Sequence, residues 1–254
     1  TGKYVMWFHL ELKGRGYGPS RAGVAVSDTP AGPYRFIRSG RVNPGVYPLN
    51  MTQEEQKLTW NPEDYEWWTP EWREAVNKGM FVKRDLEGDG QMSRDMTLFV
   101  DDDGTAYHIY SSEENSTLHI SQLTDDYTSY SGKYARFFPG RFMEAPALFK
   151  QKGKYYLIMS GCTGWAPNAG RSAVASSIWG PWKELENPFR GENSEVSFYS
   201  QSTYVLPVPG HADRFIYMGD RWTPENAIDG RYIWLPIRFE GEQPVIEWQS
   251  EWSY

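Results

Sequence analysis

The sequence has few of the residues that build disulfide frameworks, metal clusters or nucleic-acid surfaces. Its 254 residues include one cysteine, Cys162, and four histidines, which excludes an internal disulfide and argues against a zinc site. The net charge of -7 disfavours nucleic acid as a partner. No segment approaches the roughly 18 consecutive apolar residues of a membrane helix, and the first residues show neither a signal peptide nor an anchor. We therefore expect a soluble globular protein without membrane insertion, in which Cys162 is a small buried hydrophobe.

Aromatic residues, by contrast, are abundant. They make up 16% of the chain, with 12 Trp and 17 Tyr, which is more than a core of this size usually requires. Sugars present apolar C–H faces that stack on aromatic rings, so this composition suits a neutral carbohydrate ligand. A core built from large side chains would give the same composition.

Four strand-rich modules follow one another along the sequence. In each of them short alternating or β-branched runs end on turn residues, and Asp103-Gly104 and Gly153 supply the positive φ of hairpin turns. "GPY" and "GPW" mark equivalent turns in the first and third modules. A sheet repeated about every 40 to 50 residues is typical of a β-propeller, and a two-sheet sandwich is the alternative. The modules span residues 3–39, 96–127, 145–185 and 202–249.

A segment rich in Pro, Glu and Trp, residues 43–92, interrupts the repeat. Within it "TPEWREAVNKG" predicts a short helix, with Thr69 as N-cap, Pro70 as the first helical residue and Gly79 just past the end. Its tryptophans argue against disorder. We interpret the insertion as a lid or subsite wall, although its aromatic residues could simply pack against the sheets. These tryptophans are Trp60, Trp67, Trp68 and Trp72.

Three modules place a polar residue at the start of their first strand. Asp95 precedes "MTLFV", Glu144 precedes "APALF", and Gln201 precedes "STYVLP". An ionised carboxylate at the entrance to a core is costly unless it is paired or solvated, so Glu144 in particular requires an explanation. Because the first strands of a propeller converge on one mouth, we expect these three side chains to share a pocket.

The segments "SRDMTLFVDDDGTAYHIYSSE", "EAPALFKQKGKYYLIMSGCTGW", "SQSTYVLP" and "MGDRW" resemble glycoside hydrolase family 43, an inverting family of five-bladed propellers. The most similar branch is that of the exo-β-1,3-galactanases. The resemblance covers most of the chain outside 43–92. It implies an all-β, five-bladed propeller forming a single catalytic domain over residues 1–254. Four modules and the insertion use up the chain, so the first blade is expected to be incomplete, or the ring closes differently.

The resemblance also implies catalytic roles. Glu144 is the general acid, and Asp95 raises the pKa of that acid and orients it. Most of the family has an Asp upstream of a segment like "KYVMWFHLE" as base, whereas the galactanase branch uses a Gln to position water, which Gln201 matches. An inverting pair lies about 6.5 to 9.5 Å apart. The alternatives are a salt bridge of Asp95 with Arg94, a solvated strand end at Glu144, and a buried Gln201 that satisfies backbone groups.

Five further residues are implied or suggested as substrate-binding. Glu11 of "FHLE" matches a family position that binds substrate hydroxyls. Asp220 and Arg221 of "MGDRW" could line the pocket, and Trp222 could serve as a sugar platform. Trp165 of "GCTGW" is a second candidate platform, with core packing as its alternative.

The sequence thus predicts an inverting exo-glycoside hydrolase that releases galactose from β-1,3-galactan of the arabinogalactan type. The alternatives are an α-L-arabinofuranosidase or β-xylosidase of the same family, and a noncatalytic carbohydrate-binding propeller. We expect a secreted or periplasmic monomer whose partner is an oligo- or polysaccharide. No cofactor is expected to be required, and a structural calcium ion is left open. The contiguous acids at 101–103 indicate a solvated hairpin turn rather than a calcium loop.

Overall fold

A computed structural model describes residues 2–254 and shows an all-β protein with a few short helices. The chain divides into two compact units, Thr1–Phe142 and Met143–Tyr254. The described residues form four separate sheets, two in each unit, which confirms the four predicted modules. A sandwich built from only two sheets is therefore wrong for these residues.

The first unit consists of two antiparallel sheets and the insertion. One sheet has the order β1-β2-β3 and the other the order β4-β5-β6-β7. Their bounds are β1 (Tyr4–Leu10), β2 (Arg21–Ser27), β3 (Arg35–Gly40), β4 (Met96–Val100), β5 (Ala106–Ser112), β6 (Thr117–Leu123) and β7 (Tyr130–Phe137).

The second unit consists of a four-stranded and a five-stranded sheet. The first has the order β11-β10-β9-β8, and the second has the order β12-β16-β15-β14-β13, in which β12 pairs with β16 in parallel. Their bounds are β8 (Glu144–Gln151), β9 (Lys154–Ser160), β10 (Arg171–Ala175), β11 (Lys183–Leu185), β12 (Phe189–Arg190), β13 (Gln201–Pro207), β14 (Phe215–Arg221), β15 (Arg231–Glu240) and β16 (Gln243–Glu247).

The turns form where the sequence predicts them. Gly104 and Gly153 have φ values of 84° and 75°, as the hairpins require. In the first of these hairpins, Asp103 Oδ1 accepts the Thr105 amide at 2.8 Å, so the acidic run at 101–103 is a hydrogen-bonded turn. Each of the two Gly-Pro-aromatic turns contains a cis peptide bond, at Gly32-Pro33 and at Gly180-Pro181.

The insertion contains three short α-helices and one 3₁₀ turn. The helix predicted after Thr69 is confirmed, because the Thr69 side chain accepts the Trp72 amide at 3.2 Å and Gly79 follows with a φ of 89°. Trp72 is fully buried, whereas Trp67 and Trp68 are exposed. The helices are α1 (Gln53–Lys57), α2 (Pro70–Asn77) and α3 (Met80–Leu86), and the 3₁₀ turn is Pro62–Asp64.

The insertion docks on β7, the edge strand of its sheet. Asn50 pairs with the backbone of Arg136 in both directions, donating to its carbonyl at 2.7 Å and accepting from its amide at 3.1 Å. The Leu49 amide donates to the Tyr134 carbonyl at 2.7 Å. The insertion therefore covers polar groups that an edge strand would otherwise leave open.

A buried ion pair holds the helices to the sheet. The Arg136 guanidinium donates to both carboxylate oxygens of Glu113 at 2.8 and 2.7 Å, and the Glu113 side chain is fully buried. The same guanidinium donates to the Val76 and Asn77 carbonyls at the end of α2. The Val76 carbonyl also accepts from the Gly79 amide at 3.0 Å, so Arg136 adds a charged donor at the helix end while it pairs with the carboxylate.

No helix among residues 2–254 is long and apolar enough to cross a membrane.

Replacing Arg136 with Met should lower the free energy of unfolding by about 3 to 5 kcal/mol, because the buried Glu113 carboxylate would lose its charged arginine partner and keep the bond to His119. Urea unfolding followed by tryptophan fluorescence measures this loss. Arg238→Met is the matched control, since it breaks a half-exposed pair with Glu247, and it should cost less than about 1 kcal/mol. Equal losses in the two variants would contradict the role of the buried pair.

Stability should fall as the pH falls below 6.5. Burial lowers the pKa of His108 from 6.5 to about 3. Between pH 6.5 and 3, therefore, His108 is protonated in the unfolded chain but neutral in the folded protein. The pKa of Glu113 is about 2 despite its burial, because Arg136 and His119 favour its carboxylate, and this contribution is lost as the pH falls from 4.5 towards 2. The slope of the unfolding free energy against pH, measured from pH 3 to 7, gives the number of protons taken up on unfolding. This number should be about one lower for His108→Gln than for the parent protein. Parallel profiles for the variant and the parent would refute this assignment.

Candidate active site

The three polar strand heads occupy equivalent positions in their sheets. Asp95 directly precedes β4, Glu144 is the first residue of β8, and Gln201 is the first residue of β13. Each lies opposite the end of the next strand in its sheet, where the facing residues are Ser111, Ser160 and Asp220. The predicted equivalence of the three positions is confirmed.

Glu144 sits at a β-bulge. Ala147 pairs with Ile158, but Glu144 pairs with Ser160, so the register shifts by one residue between them. Ala145 adopts a φ of 49°, a left-handed conformation that costs a residue with a side chain about 1 to 3 kcal/mol. Bulges of this kind re-aim a side chain at the end of a strand. Glu144 is 9% exposed, which shows that the interpretation as a solvated strand end is wrong.

A hydrogen bond from the neighbouring sheet secures this bulge. Ser202 Oγ donates to the Ala145 carbonyl at 2.5 Å, and the Ile158 carbonyl lies at 3.4 Å from the same oxygen. Ser202 follows Gln201 on β13, and Ala145 follows Glu144 on β8. The bond therefore joins the two strands one residue beyond the two candidate catalytic groups.

The Gln201 amide is clamped from two sides. The Trp222 indole donates to its Oε1 at 3.2 Å, and its Nε2 donates to Ser160 Oγ at 2.9 Å. An indole N–H can only donate, so the amide oxygen must face Trp222 and the nitrogen must face Ser160. These two bonds use one lone pair and one hydrogen, and an amide has a second of each. The Gln201 amide thus bonds to side chains, whereas the alternative stated above has it satisfy backbone groups.

Trp222, which bonds to this amide, pairs with a second exposed tryptophan. Trp165 and Trp222 are 61% and 52% exposed and form an edge-to-face pair with ring centroids 5.4 Å apart. The loop that carries Trp165 is held by Asn168, whose amide nitrogen donates to the Gly161 carbonyl at 3.0 Å. Trp165 is therefore available for stacking and is not a core residue. In the same loop Cys162 is exposed, so the prediction of a buried cysteine is wrong: the residue follows the end of β9 and leaves the sheet.

Consecutive residues at the end of β14 face different surroundings. Asp220 lies opposite Gln201, and its half-burial raises the pKa of its carboxyl. The Arg221 side chain is directed elsewhere: its Nε donates to the Phe198 carbonyl at 3.0 Å, and its guanidinium lies 4.9 Å from the Trp248 ring centre. The structure thus places Trp222 in the Gln201 cluster but not the Arg221 side chain, because alternate residues of a strand point to opposite faces.

In the first unit, Glu11 is fixed by a backbone amide. Both of its carboxylate oxygens accept from the Ser20 amide, at 3.1 and 3.0 Å, and one lies 2.7 Å from His9 Nε2. Arg94, the residue before Asp95, donates to Glu114 at 2.8 Å and to Ser20 Oγ at 3.1 Å. The ion pair of Arg94 is thus formed with Glu114.

No group of three or more His, Cys, Asp or Glu side chains in residues 2–254 has the arrangement of a metal site.

A family model supplies the decisive comparison. The model for glycosyl hydrolases family 43 matches residues 52–223, which include all three strand heads. The chain belongs to this family.

Solved members of family 43 show the same fold. A GH43 β-1,3-galactosidase, BT3683, solved with galactodeoxynojirimycin, is 63% identical with a TM-score of 0.96, over 100% of this chain and 73% of that one. The exo-β-1,3-galactanase 1,3Gal43A from Clostridium thermocellum is 34% identical with a TM-score of 0.72, over 97% of this chain and 45% of that one.

Another relative has a different activity. The β-D-galactofuranosidase xynD of Aspergillus niger is 28% identical over 159 residues, which are 62% of this chain and 46% of that protein. The chain thus spans less than half the length of this relative.

The sequence analysis did not identify the serines that hold Glu144 and Gln201 in place. Ser160 fixes the Gln201 amide, and Ser202 fixes the bulge after Glu144. The repeated motifs held a signal for Ser160, because the second strands of two modules end in "YSSE" and "IMSG", with a serine facing each acidic strand head. Ser202 bonds across two sheets, and the hairpin patterns hold no signal for that contact.

Ala145→Gly should be as stable as the parent or about 1 kcal/mol more stable, because glycine adopts a positive φ without a steric penalty. Ala145→Val should be less stable by more than that, since a β-branched residue is strongly disfavoured in this conformation. Thermal unfolding of the two variants beside the parent measures both effects. A valine variant that melts at the parent temperature would show that the positive φ carries no cost.

Proposed function

We propose that this protein is an inverting exo-glycoside hydrolase that releases galactose from the end of β-1,3-galactan. The observation that carries the proposal is the pairing of a buried carboxyl, Glu144, with a clamped amide, Gln201, at the heads of two strands joined by one hydrogen bond. The activities of the two solved relatives supply the substrate class. A five-bladed propeller acting as one catalytic domain is part of the proposal.

In this mechanism Glu144 is the general acid. A glycosidase acid must hold a proton until the glycosidic bond breaks, and burial in general disfavours the ionised carboxylate. Glu144 donates its proton to the leaving oxygen as the bond to the anomeric carbon breaks. Asp95 keeps the role that the family resemblance implies, which is to tune and orient this acid.

Gln201 positions the water that adds to the anomeric carbon, and the proton that this water loses passes to solvent. An ordinary amide is a poor base, so its contribution is geometric: the second lone pair of Oε1 and the second hydrogen of Nε2 both suit a water molecule. Trp222 and Ser160 prevent rotation of the amide, and the water is held in one orientation. Holding a nucleophile in the reactive geometry lowers the entropic part of the barrier.

The exposed rings provide the sugar-binding surface. Trp165 and Trp222 stand edge to face and offer apolar surfaces for a pyranose, and Asp220 and Glu11 are the proposed hydroxyl ligands. An arabinofuranosidase or β-xylosidase would use the same acid with a differently shaped pocket. A monomeric state and secretion or export to the periplasm stay part of the proposal, and a structural calcium ion is left open.

Glu144→Gln should reduce galactose release from β-1,3-galactan by a factor of at least about 100, because an amide cannot donate the required proton. Released galactose is measured by chromatography, and substrate binding by affinity electrophoresis should be retained. Glu63→Gln, an exposed acid-to-amide change in the insertion, is the matched control and should keep full activity.

Galactose release at the parent rate by Glu144→Gln would remove Glu144 from its role. If the parent protein cleaves an aryl arabinofuranoside or xyloside but not galactan, the substrate assignment fails while the role of the acid stands. Retained binding with no cleavage of any substrate would identify a noncatalytic carbohydrate-binding protein.

A further inference from the structure

A cavity lies beside the Gln201 cluster in the five-stranded sheet. Its volume is about 570 Å³, within the range of small-ligand pockets, and its lining comes only from the second unit. The loop before β13 and the end of β16 form its walls, and Arg221 reaches into it from β14. None of the proposed catalytic groups lines this cavity.

Two aromatic rings line this cavity and remain exposed. Tyr199 is 54% exposed and Trp248 is 48% exposed. Neither ring is loose, because Tyr199 donates from its hydroxyl to Asn193 Oδ1 at 3.0 Å and the Arg221 guanidinium lies over Trp248. Exposed rings that are fixed in place lose little entropy when a ligand stacks on them.

Backbone strain presents one of these rings to the cavity. Ser197, Phe198 and Tyr199 have φ values of 52°, 54° and 60°, and three consecutive left-handed residues with side chains are costly. Phe198 is buried in the core of the unit, and its carbonyl accepts from Arg221 Nε. The strained turn thus anchors Phe198 inside and leaves Tyr199 outside. Such strain clusters at ligand sites.

The charges around this cavity balance. Two arginines, Arg190 and Arg221, face two acids, Glu192 and Glu247. Arg190 already pairs with Glu186 at 3.0 Å, and Glu247 pairs with Arg238 at 3.0 Å. A charged ligand would find no excess of opposite charge, whereas a neutral ligand with many hydroxyls could use these groups as hydrogen-bond partners.

We propose that this cavity binds a neutral sugar residue of a glycan, with Tyr199 and Trp248 as its stacking surfaces. The identification of the ligand as a glycan rests on the proposed function. Tyr199 lies two residues before Gln201, and Arg221 lies directly before Trp222, so the cavity and the amide cluster share the same strand ends. A sugar bound here is either a branch of the glycan being cleaved or part of a separate glycan.

Tyr199→Ala and Trp248→Ala test the proposal in a Glu144→Gln background, which prevents turnover. Calorimetric titration with an unbranched β-1,3-galactan oligosaccharide and with a branched arabinogalactan oligosaccharide measures binding. Each alanine change should weaken binding of at least one of these ligands roughly tenfold, the usual effect of removing a stacking aromatic residue. Trp234→Ala is the control: Trp234 is 52% exposed in the same sheet but does not line the cavity, and its removal should leave both dissociation constants unchanged.

The two ligands distinguish the two sources. Weaker binding of the branched oligosaccharide alone assigns the cavity to a branch, and equal weakening of both assigns it to a separate glycan. Unchanged dissociation constants for both ligands in both variants would overturn the proposal. Should Trp248→Ala fail to fold, Tyr199→Ala and Trp248→Phe decide, because the first ring is largely exposed and the second change keeps an aromatic ring.

Galactose release by the parent protein tests the proposed function separately. A protein that releases no galactose, yet binds glycan less tightly after Tyr199→Ala, would retain the cavity proposal and lose the hydrolase assignment.

Discussion

The candidate site in the second unit depends on the hydrogen bond from Ser202 Oγ to the Ala145 carbonyl. This bond ties the heads of β8 and β13 together and offsets part of the cost of a left-handed alanine. The bulge that Ala145 creates changes the register so that Glu144, rather than Ala145, faces Ser160. Ser160 also accepts from the Gln201 amide, so Glu144 and Gln201 both lie next to Ser160. Ser202 on the other sheet holds the bulge that makes this arrangement possible.

The turn between β5 and β6 performs a comparable task in the first unit. Glu113 is buried against Arg136, which holds the end of α2, while Glu114 pairs with Arg94 next to Asp95. Two adjacent carboxylates thus connect the insertion to the strand head. The contacts of the insertion lie mainly on β7, at the opposite edge of the sheet from β4. Packing against the sheet is therefore a demonstrated role of the insertion, and the interpretation as a lid or subsite wall stays a prediction.

Local patterns predicted much of this molecule, and contacts between distant residues account for what they missed. The four modules, the capped helix after Thr69 and the strand heads all follow from spacing and turn chemistry. The two-residue turn at Lys152-Gly153 would place Ala145 opposite Ser160, but the bulge moves Glu144 there. That bulge depends on a serine 57 residues away, and no hairpin rule contains such a contact. The exposure of Cys162 escaped prediction for a related reason, because composition does not show where a strand stops.

The end of β14 shows how one strand can serve two places. Asp220 is the cross-strand partner of Gln201 and Trp222 bonds to the Gln201 amide, while Arg221 between them contacts Trp248 and the Phe198 carbonyl. The period of two in a strand makes this division unavoidable, so "MGDRW" could not place all its side chains in one pocket. What the sequence suggested as one substrate-binding motif is divided between two neighbouring surfaces. A substitution of Arg221 would therefore act directly on the cavity lined by Tyr199 and Trp248. It would act on the Gln201 cluster only through the backbone of β14.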